Sequence, residues 1–191
     1  KKYVILAILC LGSLSACYCQ YQMSPLAPEI MEKFHMSQMQ YSTVFSASMA
    51  PAIILSIIAG MAVDRIGAKQ IIFVGLIIAA VGLCVRVFTD SYSVLYLCMM
   101  LTGIPATFLN SVNAKILARW FTVRQISVAV GIYLAASAVG MALGTGTTAM
   151  LPSVTTAFTV AAVLAVITAV SWGLFMQENP KSIGKTKDTS E

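Results

Sequence analysis

The sequence predicts an all-α membrane protein with six transmembrane helices. Three observations carry that prediction. Hydrophobic residues make up 59% of the 191 and charged residues only 10%, with a mean hydropathy of +0.86. A water-soluble domain carries about a quarter charged residues, so this composition suits lipid rather than water. The apolar residues fall into six runs long enough to cross a bilayer, each taking about 20 residues. The cations cluster between the runs on alternate sides.

The expected spans are 3–22, 41–63, 70–88, 93–114, 126–149 and 154–176, which makes residues 1–176 one six-span unit. Pro152 and Ser153 break spans five and six apart. Alternating two-residue hydrophobicity is absent, so a β-barrel is not supported. Residues 177–191 are polar, with Asn179-Pro180 ending the last helix, and are expected to form a cytoplasmic tail. The segment Leu14-Ser15-Ala16-Cys17, behind Lys1-Lys2 and an apolar run, has the form of a lipoprotein cleavage signal, and cleavage before Cys17 would remove the first span. Against this stands the simpler reading that small residues within a span mimic the motif.

Orientation follows from the basic residues. With the N-terminus in the cytoplasm, all of the twelve Lys and Arg except Lys33 and Arg86 lie on the cytoplasmic side, the bias that membrane insertion favours. Six spans then bring the C-terminus back to the cytoplasm. The formal charge of +5 is therefore a topology signal. It forms no patch interleaved with aromatics, and nucleic acid is not an expected partner.

The five cysteines, Cys10, Cys17, Cys19, Cys84 and Cys98, all sit in apolar runs without CxxC or Cys/His pairing. They read as small apolar helix residues rather than a disulfide framework or a zinc site. Met23, Met31, His35, Met36 and Met39 crowd the first outer loop, and such ligands suit Cu(I). In a chain with 11 Met the cluster is expected by chance, and no metal or cofactor is assigned.

The informative stretch joins spans two and three: Gly60-Met-Ala-Val-Asp64-Arg65-Ile-Gly67-Ala-Lys69. A glycine near a helix end permits close approach of another helix. A carboxylate at the membrane boundary needs a partner, and Arg119 and Arg124 on the next cytoplasmic loop are candidates. Gly67 suits a tight turn. The stretch resembles the signature loop of the major facilitator superfamily, G-x-L-a-D-r-x-G-r-[RK]. Gly60, Asp64, Arg65, Gly67 and Lys69 match it, while Ala62 and Ala68 depart from it. Arg119-Trp120-Phe121-Thr-Val-Arg124, followed by Val128-Ala-Val-Gly131, is similar to the family's transition into span five, as found in members that carry organic anions. Two departures argue against a drug–proton antiporter: Met99 stands where proton-coupled members often have Arg in span four, and Thr145 where antiporters have Pro in span five.

The resemblance implies the N-terminal half of a twelve-helix transporter, built of two inverted three-helix repeats. It implies a gating loop at Gly60, Asp64, Arg65, Gly67 and Lys69 that latches onto the second half. The partners implied are the lipid bilayer, a small-molecule substrate and a second six-helix half, supplied by a separate chain or by a homodimer. The function implied is alternating-access transport of a small solute, with an organic anion as the candidate, across a bacterial cytoplasmic (inner) membrane. Because family members line their cavity with spans one, two, four and five, Tyr18, Gln22, Asn110, Asn113 and Tyr133 are the candidate lining residues. No charge lies near the middle of an expected span, so this half offers neutral polar contacts. A second reading is a non-transporting scaffold or binding subunit, which would have no need of a gating loop. Membrane catalysis would require a nucleophile–base pair or a metal cluster, and no such constellation is present in the sequence, so the chain is not expected to be an enzyme.

Overall fold

The computed structural model describes residues 2–176, and the side chains there apart from those of residues 54, 59, 60, 64, 65, 119 and 123. The expected tail at 177–191 lies outside the described residues. Eight helices are found among those described: α1 Lys2–Tyr21, α2 Ala27–Lys33, α3 Gln38–Ala47, α4 Ala50–Ile66, α5 Ala68–Phe88, α6 Tyr92–Trp120, α7 Val123–Thr148 and α8 Val154–Phe175. Five of them, α1, α5, α6, α7 and α8, are long and apolar enough to cross a membrane.

The expected second span, 41–63, is not one helix. Pro51 has no N–H to give to the carbonyl four residues earlier, and its ring crowds that group. Position 47 is where α3 ends, and α4 restarts with Pro51 in its first turn. Ser48 in the break accepts a hydrogen bond from Gln20 of α1 at 2.9 Å. The break rests on Gly103 of α6: a Cβ there would stand 1.8 Å from the Ser48 carbonyl oxygen. The helix ends elsewhere follow local chemistry. Ser37 and Gln40 form a reciprocal capping box at the start of α3. Gly67 is at once the end of α4 and the cap of α5, with φ 102°, a conformation that favours glycine.

The helix contacts follow an exchange pattern. The chief contacts pair α1 with α7, α6 and α8, and pair α6 with α4 and α5, while α5 lies against α8. Exchanging α1, α3–α4 and α5 for α6, α7 and α8 maps these chief contacts onto themselves. The core runs the length of the bundle. At the end where α1 begins it holds Leu9, Ile72, Leu109, Leu117 and Trp172. At the other end Met23, Leu26, Ile30 and Phe34 fold α2 and its flanking loops onto Leu95, Met99 and Phe158. Met23 and Met36 of the methionine-rich loop are thus core residues, while His35 and Met39 are exposed.

Candidate functional site

The helix α1 is the hub on which polar contacts converge. Toward α7, the Ser13 and Ser137 hydroxyls are hydrogen-bonded, and the Tyr18 hydroxyl lies 3.4 Å from Thr147 Oγ1. These contacts need close backbones, and two glycines supply them. A Cβ on Gly140 would stand 2.4 Å from the Leu14 carbonyl oxygen, and one on Gly144 would stand 2.9 Å from that of Tyr18. Small residues of this kind let helices meet in lipid, where apolar burial gives no drive for association.

From α7 the polar contacts continue to α6. Tyr133, 1% exposed, donates its hydroxyl proton to Asn110 Oδ1 at 3.2 Å, and Ser137 donates to the Tyr133 carbonyl at 3.2 Å. Asn110 itself is exposed, and half-buried Asn113 accepts from the backbone N–H of Ala114. Of the cavity residues read from the sequence, Tyr133 and Asn110 are therefore in direct contact. Tyr18 sits farther along the same α1–α7 seam, and Asn113 lies one turn from Asn110 on α6. Gln22 is elsewhere: fully buried, it faces away from this seam toward Arg86.

Beside the α3–α4 break lies an open groove of about 390 Å³, lined by Met39, Ser42, Thr43, Ser46, Ala47, Ala50 and Tyr96. Its Ser42 and Thr43 hydroxyls donate to the Gln38 and Met39 carbonyls of their own helix, at 2.9 Å each. The polar groups lining the groove are neutral hydroxyls.

In the loop joining α4 to α5, Gly67 makes the turn and its N–H donates to the Val63 carbonyl at 3.1 Å. The carbonyl of Lys69 accepts from Trp172 Nε1 of α8 at 3.2 Å, fixing the start of α5. The side chains of Asp64, Arg65 and Arg119, and with them the expected ion pair, lie outside what the structure describes, and Arg124 is exposed. Trp120 and Phe121, placed by the resemblance in the transition into span five, end α6. Phe121 is buried edge-on against Tyr3, with ring centroids 6.4 Å apart.

One residue escaped the sequence reading. Arg86 was expected as a cation on the outer surface, yet it is 0% exposed. Sequence offered one signal: Arg86 stands inside an apolar run, three residues short of the polar Thr89-Asp90.

The family model of the Major Facilitator Superfamily matches residues 9–191. The chain belongs to that superfamily, an integral membrane family. It is 24% identical to a galacturonate transporter of Dickeya chrysanthemi, over 94% of this chain and 53% of that protein. It is 27% identical to multidrug resistance protein 2 of Bacillus subtilis, over 81% of this chain and 39% of that one. Among solved structures, the fold is shared with a bacterial homologue of the human lysosomal transporter Spinster, in an inward-facing, unoccupied conformation. That match has a TM-score of 0.82 at 16% identity, covering 99% of this chain and 46% of the other. The chain thus spans about half or less of the proteins it matches.

Proposed function

We propose that this chain is the N-terminal half of a secondary transporter that moves a small organic anion by alternating access, working against a second six-helix half. The observation that carries this reading is the uncovered face of α7. Only 17% of its membrane window is buried. Ser127, Gly131, Ala135, Ala138, Ala142 and Gly146 recur along its exposed side at three- and four-residue spacing, opposite the face that holds Tyr133, Gly140 and Gly144. A Cβ on Gly131 or Gly146 would meet nothing within 4 Å. Small residues facing outward in lipid mark a surface made for another helix.

The six spans are completed by α3 and α4 crossing together as a broken helix. The exchange symmetry of the helix contacts supports two three-helix repeats of inverted topology, the usual construction of such halves. Both termini face the cytoplasm of a bacterial inner membrane on the distribution of basic residues. Tyr18, Asn110, Asn113 and Tyr133 form one wall of the solute path. The loop of Gly60, Asp64, Arg65, Gly67 and Lys69 latches onto the second half. The organic anion comes from the galacturonate transporter's name and from the α6–α7 junction. The anion's counter-charge in the path then comes from the second half.

Native mass spectrometry of the chain in detergent, alone and with six-span partner halves, tests the assembly. A stable dimer or heterodimer, weakened by Asp64→Asn, is expected. A chain that remains monomeric with every candidate would overturn the reading.

A further inference from the structure

Arg86 is enclosed where four helices meet. Its guanidinium carbon stands 4.1 Å from the centre of the Phe158 ring on α8. Nη1 donates to Met99 Sδ of α6 at 3.4 Å. With the Gln22 amide oriented by its hydrogen bonds, Nη2 donates to Gln22 Oε1 at the end of α1, and Gln22 Nε2 donates to the Ala157 carbonyl of α8 at 3.2 Å. Nε has no acceptor. Every partner is neutral. The acids at this end of the described structure, Glu29, Glu32 and Asp90, are all exposed, and Asp90 is paired with Lys33 at 3.4 Å.

A buried cation without a carboxylate is costly, and an unbranched apolar side chain would fill the same space. Stability therefore does not account for the charge, whereas direction does. A planar fork with one face on an aromatic ring accepts partners only at set angles, and it fixes both the height and the rotation of the end of α1. Close packing does not do this alone. One turn farther into the bundle lies a void of about 20 Å³, lined in part by Cys19, Leu83 and Thr102, each three residues from Gln22, Arg86 and Met99 in turn.

We propose that Arg86 is a positioning residue for transport: through Gln22 it sets the register of α1, and so the alignment of Ser13 and Tyr18 with α7 along the solute path. This rests on the transporter reading above. The test uses Arg86→Lys and the double variant Arg86→Met/Gln22→Leu, which removes both polar partners and keeps the volume. Three readouts are taken: thermal unfolding in detergent, uptake by the assembled transporter, and maleimide labelling of Cys19. Labelling is done with Cys10, Cys17, Cys84 and Cys98 replaced by alanine. Cys19 is 3% exposed in the parent.

The double variant is expected to unfold at nearly the parent temperature, since both members of the pair are replaced together. Its Cys19 labelling should rise about tenfold as the α1 end loosens, and its uptake should fall at least about tenfold. Arg86→Lys, which keeps the charge and loses the fork, should fall between. A double variant with parental labelling and parental uptake would overturn the proposal and leave Arg86 a space-filler. If the double variant does not fold, Gln22→Asn, which withdraws the amide and leaves Arg86 in place, is judged by the same labelling and uptake criteria. Should the assembled parent take up no solute, the transporter reading fails on its own, and unchanged Cys19 labelling in the double variant would then refute the positioning role separately.

Discussion

Helices α7 and α8 are nearly equal in length and mean hydropathy, yet 17% of the α7 window is buried against 39% of that of α8. Their exposed faces differ in one feature. On α8 the outward residues include Val163, Val166, Ile167, Val170 and Leu174, bulky side chains that suit lipid tails. On α7 bulky residues such as Val128, Leu134 and Val139 are exposed too, but a row of Ser127, Gly131, Ala135, Ala138, Ala142 and Gly146 runs between them, opposite the side seated on α1. Hydropathy thus ranks both as spans, and both expose bulky apolar side chains, but of the two only α7 adds a row of small residues, which lets another helix approach closely. In the proposed transporter, α8 is at the rim and α7 is at the contact with the second half.

Substitutions along the two faces test this difference most directly. Gly131→Leu combined with Ala138→Leu should abolish assembly with the second half and lower uptake at least about a hundredfold, a loss of roughly 2.7 kcal/mol. Val163→Leu with Val170→Leu on α8 should leave both unchanged. Co-purification of tagged halves and vesicle uptake read the outcome, and equal effects on the two helices would erase the distinction.

The buried side of α7 should be nearly as sensitive, but through folding rather than assembly. Gly140→Leu drives a side chain into the Leu14 backbone, 2.4 Å from the ideal Cβ position, and backbone cannot step aside. A cost of about 3 kcal/mol or more is expected, at the upper end of overpacking effects, seen as loss of the folded fraction on detergent size exclusion. Gly173→Ala on α8 gives the matching small effect. Its Cβ meets the rim of the Phe73 ring at 2.9 Å, and a side chain can rotate away, so a cost of about 1 kcal/mol is expected in thermal unfolding.

Polar contacts on α7 should matter less for stability than for function. Tyr133→Phe removes the hydrogen bond to Asn110 and should cost about 0.6 kcal/mol, the average for such bonds between membrane helices. A larger drop in solute affinity is expected if this pair lines the path. Least affected should be Lys33→Ala. Its ion pair joins a half-buried Lys33 to an exposed Asp90 at the surface, and surface pairs contribute about 0–1 kcal/mol.

Sequence alone determined that the chain is helical and apolar enough for lipid. Periodicity and length are local properties, and lipid leaves the backbone little choice but helix. It also determined the family, because Gly60, Asp64, Arg65, Gly67 and Lys69 keep a fixed spacing, and the positive φ of Gly67 supplies a reason for a glycine at that point. Three things were decided only by tertiary structure. Pro51 broke the second span because its ring falls beside the carbonyl four residues back and Gly103 leaves room for the break. Gln22, expected with Tyr18 along the cavity, turned to a different partner because the end of α1 abuts α5 and α8. Arg86 became a core residue because helices far apart in sequence closed around it. Burial of a charge depends on which side chains meet it in space, and no local pattern along the chain encodes that meeting.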